Sequence, residues 1–182
     1  MDKFTLKRED TVLFIIDIQD KLVPAMKYKD QVIDNNKILI KAAKEMEFPI
    51  VVTEQYPKGL GRTVTELLNL IDEKDIFAKN SFTAYTDEVK EKLKSLGKKK
   101  VIITGMETHI CVFQTTRDLI RDGYQVFLCK DALASRTKEN YINGLDLSKS
   151  MGAVISNTET LVYDLLKVSG TPEFKAMLKV IK

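Results

Sequence analysis

Short apolar runs alternate along this chain with longer stretches of helical periodicity. The first run, Thr11-Val12-Leu13-Phe14-Ile15-Ile16, is almost continuously apolar, the pattern of a strand buried on both faces. Residues 30–47 place Val32, Ile33, Ile38, Leu39 and Ala42 at helical spacing, and Pro49 marks the boundary of that helix. Residues 50–52 form the second predicted strand. A long loop over residues 53–61 follows, then a short helix within residues 63–71 and a weaker third strand at 75–79. Residues 87–96 read as a helix stopped by Gly97. The fourth strand spans 100–104, with its helix at 111–122. The fifth strand spans 125–129, with a helix at 138–151 ended by Gly152. The sixth strand lies at 153–156. Residues 157–160 supply a cap for the next helix, although the capping-box spacing fits only in part. Thr171-Pro172-Glu173 opens a last one.

Short apolar strands separated by helices of ten or more residues predict an α/β fold. Its architecture is a three-layer αβα sandwich: a six-stranded, mostly parallel, Rossmann-like sheet with helices on both faces. No repeat, low-complexity tract or linker interrupts the pattern, so residues 1–182 are expected to form one domain.

Composition narrows the function classes. The 182 residues are 44% hydrophobic and 30% charged, with a net charge of only +3, which is ordinary for a globular protein. Clusters such as Lys98-Lys99-Lys100 are short and read as solvated connections, so no nucleic-acid partner is expected. No apolar run approaches the roughly 20 residues of a membrane span, and the charged N-terminus lacks a signal-like apolar core. No membrane association is expected. Two cysteines argue for a reducing compartment, with the cytoplasm as the default location.

The candidate chemistry lies at strand ends. Asp17 follows the first strand, Lys79 ends the third, and Cys111 comes shortly after the fourth. In a parallel sheet these ends share one edge, where open α/β folds build their sites. Cys111 also opens a helical pattern, and a helix N-terminus favours thiolate over thiol. A carboxylate raised by partial burial can take the thiol proton, a nearby ammonium can stabilise sulfur and carboxylate, and turn N–H groups can bind an oxyanion. Taken singly, each residue has a plainer reading: a turn aspartate, a solvated lysine, a buried inert cysteine. Their concurrence at three strand ends favours chemistry.

Three segments carry a resemblance: Ile15-Ile16-Asp17-Ile18-Gln19, Phe77-Ala78-Lys79-Asn80-Ser81-Phe82, and Gly105-Met106-Glu107-Thr108-His109-Ile110-Cys111-Val112. In order and spacing they resemble the isochorismatase-like hydrolases, in their cysteine hydrolase branch. The likeness runs from about residue 11 to residue 166. The loop over 52–61 is similar to the isochorismatase domain-containing subgroup. The resemblance implies a catalytic triad of Asp17, Lys79 and Cys111, a cis peptide between Met106 and Glu107, and an oxyanion hole from the Glu107 and Cys111 N–H groups. It also implies hydrolysis of a small amide or related C–N bond through a thioester on Cys111, and a homo-oligomer, dimeric or larger. Met177, Leu178, Val180 and Ile181 look exposed enough to pack on a partner. Nicotinamidases of the family carry an Asp/His metal cluster in the loop after the second strand. Here that loop holds Glu54, Gln55 and Tyr56, so no metal and no cofactor are expected, and nicotinamide is a poor substrate candidate.

Gln19, Tyr56, Phe82, Thr108 and His109 are candidate substrate contacts, and Tyr85 a further candidate for the pocket wall. Gln19 reads equally as a solvent-exposed loop amide. His109, the chain's single histidine, reads more simply as a surface or cap residue, because Asp17 already fills the base role. Cys129 reads as core, and Arg117 and Arg121 as solvent-facing. Two other classes stay open: a non-catalytic binding or assembly protein on this fold, and a redox-sensing thiol protein using Cys111.

Overall fold

The computed structural model describes residues 2–181. Six strands form one sheet in the order β3-β2-β1-β4-β5-β6. They are β1 (Thr11–Ile16), β2 (Ile50–Gln55), β3 (Ile76–Lys79), β4 (Lys100–Met106), β5 (Gln125–Ala134) and β6 (Val154–Ser156). Every strand pairing is parallel, a sharper result than the mostly parallel sheet expected. The helices are α1 (Lys29–Glu45), α2 (Pro57–Leu60), α3 (Thr65–Leu68), α4 (Asp87–Leu96), α5 (Phe113–Arg121), α6 (Lys138–Ser150), α7 (Thr158–Leu166) and α8 (Pro172–Met177).

Strand periodicity divides the core into two layers. Leu13 and Ile15 of β1 face one side with α1, α3, α7 and α8. Val12, Phe14 and Ile16 face the other with α4 and α5, and α6 closes that side. All five are fully buried. Alternate residues point to opposite faces of a strand, so a continuous apolar run is what a sandwiched central strand requires. The strand order reverses between the neighbours β1 and β4, which opens a crevice at their carboxyl ends.

Local chemistry sets the element ends. Thr86, Thr137, Asn157 and Thr171 cap α4, α6, α7 and α8 by accepting hydrogen bonds from Val89, Asn140, Thr160 and Phe174 N–H groups. β5 runs five residues past the predicted end because a register shift opposite Ile103 and Gly105 lets it continue to Ala134. The loop expected over 53–61 is shorter, since β2 reaches Gln55 and α2 takes up residues 57–60. The helix expected to begin at Cys111 begins at Phe113, behind a π-helical turn over Thr108–Val112. Lys100 is not a solvated connection. It is buried, and its ammonium binds the carbonyls of Asp2 and Thr5. The C-terminal apolar residues mostly serve the chain's own core: Met177 is buried, and Val180 and Ile181 pack on the α1 layer, leaving Leu178 exposed. No helix among the described residues is long and apolar enough to cross a membrane.

Gly105 of β4 packs directly against β1. It sits at φ 115°, and a Cβ there would collide with the Ile16 carbonyl of β1. Both the dihedral and the approach demand glycine. Gly105→Ala should therefore destabilise the fold by about 2–4 kcal/mol or prevent folding. Urea unfolding of the two proteins measures this, and an unchanged midpoint would remove the constraint assigned to this position.

Candidate active site

The carboxyl ends of β1, β3 and β4 bring Asp17, Lys79 and Cys111 together. Asp17 follows β1 at φ 54°, in the left-handed region, and its N–H donates to the Thr53 carbonyl at 3.1 Å. Its Oδ1 accepts from the Thr53 hydroxyl at 2.8 Å. Its Oδ2 lies 2.7 Å from the Lys79 ammonium, with neither side chain exposed, although no well-directed hydrogen bond reaches Oδ2. One lone pair of a buried carboxylate therefore remains available.

Lys79 is surrounded by acceptors. Its Nζ donates to Gln55 Oε1 at 2.6 Å and to the Ser81 and Phe82 carbonyls at 3.1 and 3.3 Å. It also lies 3.7 Å from Cys111 Sγ. Charge and oxygen acceptors fix the ammonium between carboxylate and sulfur.

Cys111 is 7% exposed, on the π-helical turn. The Met106–Glu107 peptide leading into that turn is cis. The Cys111 carbonyl accepts from the Thr115 hydroxyl at 2.6 Å, and that hydroxyl accepts from Ala84 N–H at 2.8 Å. Thr115 thus ties the turn that carries Cys111 to the loop after β3. Gly144 of α6 packs on the same turn, where a Cβ would stand 2.6 Å from the Thr108 carbonyl.

Burial, and after it the Asp17 charge, push the Cys111 thiol up to about 12, against the opposing pull of Lys79. The expectation of a thiolate at a helix N-terminus is corrected here. The cysteine precedes the α-helix proper, and desolvation beside a carboxylate favours the neutral thiol. Burial also raises the Asp17 carboxyl above its usual range, opposed by Lys79. A neutral thiol beside a carboxylate of raised basicity suits proton transfer from sulfur to oxygen during attack.

The other predicted contacts fare differently. Gln19 is not a solvent-exposed loop amide. Fully buried, it donates to the Gln55 and Gly61 carbonyls at 3.0 and 2.7 Å and accepts from Gln55 N–H at 2.7 Å. Thr108 is buried and donates to the Ala134 carbonyl at 3.0 Å, fastening the turn to β5. His109 pairs its Nδ1 with Ser135 Oγ at 3.0 Å, and no hydrogen bond joins it to the three central residues. Tyr56 and Phe82 are exposed. Tyr56 N–H donates to the Lys79 carbonyl at 2.8 Å, and the Phe82 carbonyl holds the ammonium. Tyr85 is buried, edge-on against Tyr124. Cys129 is core, and Arg117 and Arg121 are largely exposed beside Asp118.

Sequence reasoning missed Thr53, Gln55, Thr115 and Arg136. The Arg136 N–H and guanidinium bind the buried Glu107 carboxylate at 3.0 Å. Thr115, four residues after Cys111, was the most findable, because that spacing puts its hydroxyl over the Cys111 carbonyl. Among the described residues no group of three or more His, Cys, Asp or Glu side chains is arranged to hold a metal ion.

The isochorismatase domain model matches residues 11–160. The chain is 38% identical over 175 residues to isochorismatase family protein 1A of Dictyostelium discoideum, covering 93% of this chain and 85% of that protein. It superposes on the structure described as MAR1 ribonuclease from Caenorhabditis elegans with a TM-score of 0.92 and 34% identity, covering 97% and 92% of the two chains. Escherichia coli YcaC, described as an octameric hydrolase of unknown specificity, shares the fold at a TM-score of 0.91 and 22% identity, covering 97% and 90%.

The thiol's resting state has a measurable consequence. A thiol held above the unfolded value stays protonated as pH rises past the ordinary cysteine range, so alkylation by iodoacetamide stays slow there. Wild-type Cys111 should show no plateau near the usual value of about 8.5, and its rate should still be climbing at about pH 10. Asp17→Asn removes a charge that opposes thiolate and should move the profile to lower pH. Peptide mass analysis of Cys111 reads both, and a wild-type plateau near 8.5 would contradict the assignment.

Proposed function

This chain belongs to the isochorismatase family, and from that premise we propose that it is a cysteine-dependent hydrolase of a small amide or related C–N bond. The observation that carries the reading is the convergence of Asp17, Lys79 and Cys111, from three strand ends, into one water-poor cluster. Asp17 accepts the Cys111 proton as sulfur attacks the carbonyl carbon. Negative charge moves to the carbonyl oxygen, toward the backbone N–H groups of Glu107 and Cys111. The C–N bond breaks, and the amine departs with the proton carried by Asp17. Water then attacks the thioester, giving its proton to Asp17, and the acid is released as that proton returns to sulfur. The sum is amide plus water giving acid plus amine. Lys79 stays an ammonium throughout and balances charge on carboxylate and sulfur. The scheme calls for no metal or cofactor.

Redox sensing is less well supported. Cys129 packs in the core layer on the sheet face opposite that of Cys111, so it is no resolving partner. Both cysteines are free, which suits a cytoplasmic setting. Self-association into dimers or larger assemblies is part of the reading, supported by the octameric description of YcaC.

Incubation with a panel of small amides, followed by acid quench and intact-mass analysis, should trap an acyl adduct on Cys111. Cys111→Ser should lose at least about 10³-fold in turnover of any amide found. Full turnover by that variant would end the triad assignment. Single-stranded RNA belongs in the panel because one similar structure is described as a ribonuclease. RNA cleavage that survives Cys111→Ser would replace the amide reading. Light scattering at micromolar concentration should give a dimer or larger, and a monomer would refute the assembly.

A further inference from the structure

We propose that a cavity of about 540 Å³ over the carboxyl end of β5 is a second binding site, built for a small organic anion with an apolar body. It lies between the first turns of α1 and α6, and none of Asp17, Lys79 and Cys111 lines it. Its volume falls within the roughly 300–1,000 Å³ of small-molecule sites.

Its floor is apolar. Val32 of α1, Leu133 and Ala134 of β5, and Leu145 of α6 line it, with the Tyr141 ring beside them. The Tyr141 hydroxyl is spent on the Lys130 carbonyl at 2.7 Å. The floor therefore offers a ligand hydrocarbon contact and little else.

Its rim is cationic. Lys27, Lys130, Arg136 and Lys138 all line the cavity, and among the described residues none of the three lysines has an ion pair. Asp131 is the one acid in the lining against four cations, and one of its oxygens is engaged inside the fold. Its Oδ1 accepts from Thr158 N–H at 2.8 Å, from the Thr158 hydroxyl at 3.0 Å and from the Cys129 thiol at 3.2 Å. The charge presented to a ligand is thus positive.

Arg136 is the anchor. Its Nε lies 3.0 and 3.2 Å from the two oxygens of the buried Glu107 carboxylate, and its own N–H binds that carboxylate at 3.0 Å. This fixes the guanidinium plane and leaves its terminal amino groups without a protein partner among the described residues. A pre-set guanidinium fork matches an oxyanion at low entropic cost. Neighbouring Ser135 is hydrogen-bonded in turn to His109 at 3.0 Å.

The test is a methyl NMR titration of the full chain with 4-phenylbutyrate, using neutral 4-phenylbutanamide as the matched control. The carboxylate should shift the Val32, Leu133 and Leu145 methyls saturably, and the amide should bind at least about fivefold more weakly. Arg136→Gln should weaken the carboxylate by a similar factor. Because Arg136 also holds Glu107, the double variant Lys130→Gln/Lys138→Gln provides an independent arm, expected to weaken binding about two- to fivefold with the fold intact. Equal binding of acid and amide would overturn the proposal, as would absence of shifts at these methyls up to about 10 mM probe. Binding unaffected by either variant would overturn it too. The adduct experiment on Cys111 is read separately, so the two readings fail independently.

Discussion

Lys79 Nζ and Asp17 Oδ2 meet 2.7 Å apart with no exposure of either side chain. Taking two such charges out of water costs several kcal/mol per ion, and mutual attraction recovers it only where the remaining valences are satisfied. Much of the surrounding architecture supplies those valences. Thr53 donates to the carboxylate, and Gln55, Ser81 and Phe82 offer oxygens to the ammonium. Gln55 is itself gripped through its backbone N–H and carbonyl by Gln19. A buried pair held this way contributes little net stability. What it fixes is geometry: an ammonium that cannot swing away and a carboxylate with one oxygen open.

The thiol inherits its resting state from that pair. It sits 3.7 Å from the ammonium, and the carboxylate charge acts on it from the other side of the pair. The two neighbours act in opposite directions, and burial decides between them by favouring the neutral sulfur. Burial and the neighbouring carboxylate thus favour the neutral thiol at rest. A general base of raised pKa fits such a site better than a permanently ionised sulfur, which would react with any soft electrophile that reached it.

How much of this could be read from the residues follows a physical divide. β1 was legible because an apolar run sandwiched by two helical layers has nowhere to be polar. Asp17, Lys79 and Cys111 were legible because strand ends in a parallel sheet share an edge whatever the loops do. Gln19 and Thr108 were misread because a buried amide and a hydroxyl take whichever backbone groups the tertiary fold leaves open. For Gln19 those belong to Gln55 and Gly61, 36 and 42 residues away. Gln55 and Arg136 were missed for the same reason. Their partners, Lys79 and Glu107, lie 24 and 29 residues distant and meet them only through strand order. The late start of α5 has a local cause, since the π-helical turn carries the chain out of the cis peptide before regular helix begins.

The loop after β2 shows how the same few positions can be turned to different ends. Glu54 is buried, and its Oε1 accepts from Thr63 N–H and hydroxyl at 2.8 and 2.9 Å, while Arg62 Nε reaches both carboxylate oxygens. A carboxylate so occupied has little left for a ligand. It closes the loop over residues 55–63 on itself, and the antiparallel bridge between Gln19 and Thr63 seals it against the segment following Asp17. The next residue, Gln55, then turns its amide oxygen toward Lys79. The acid of this loop is a strut and its amide a support for the ammonium. Positions that could in principle present ligands outward are bound into the frame that holds the ion pair, and the loop's contribution to the site is shape.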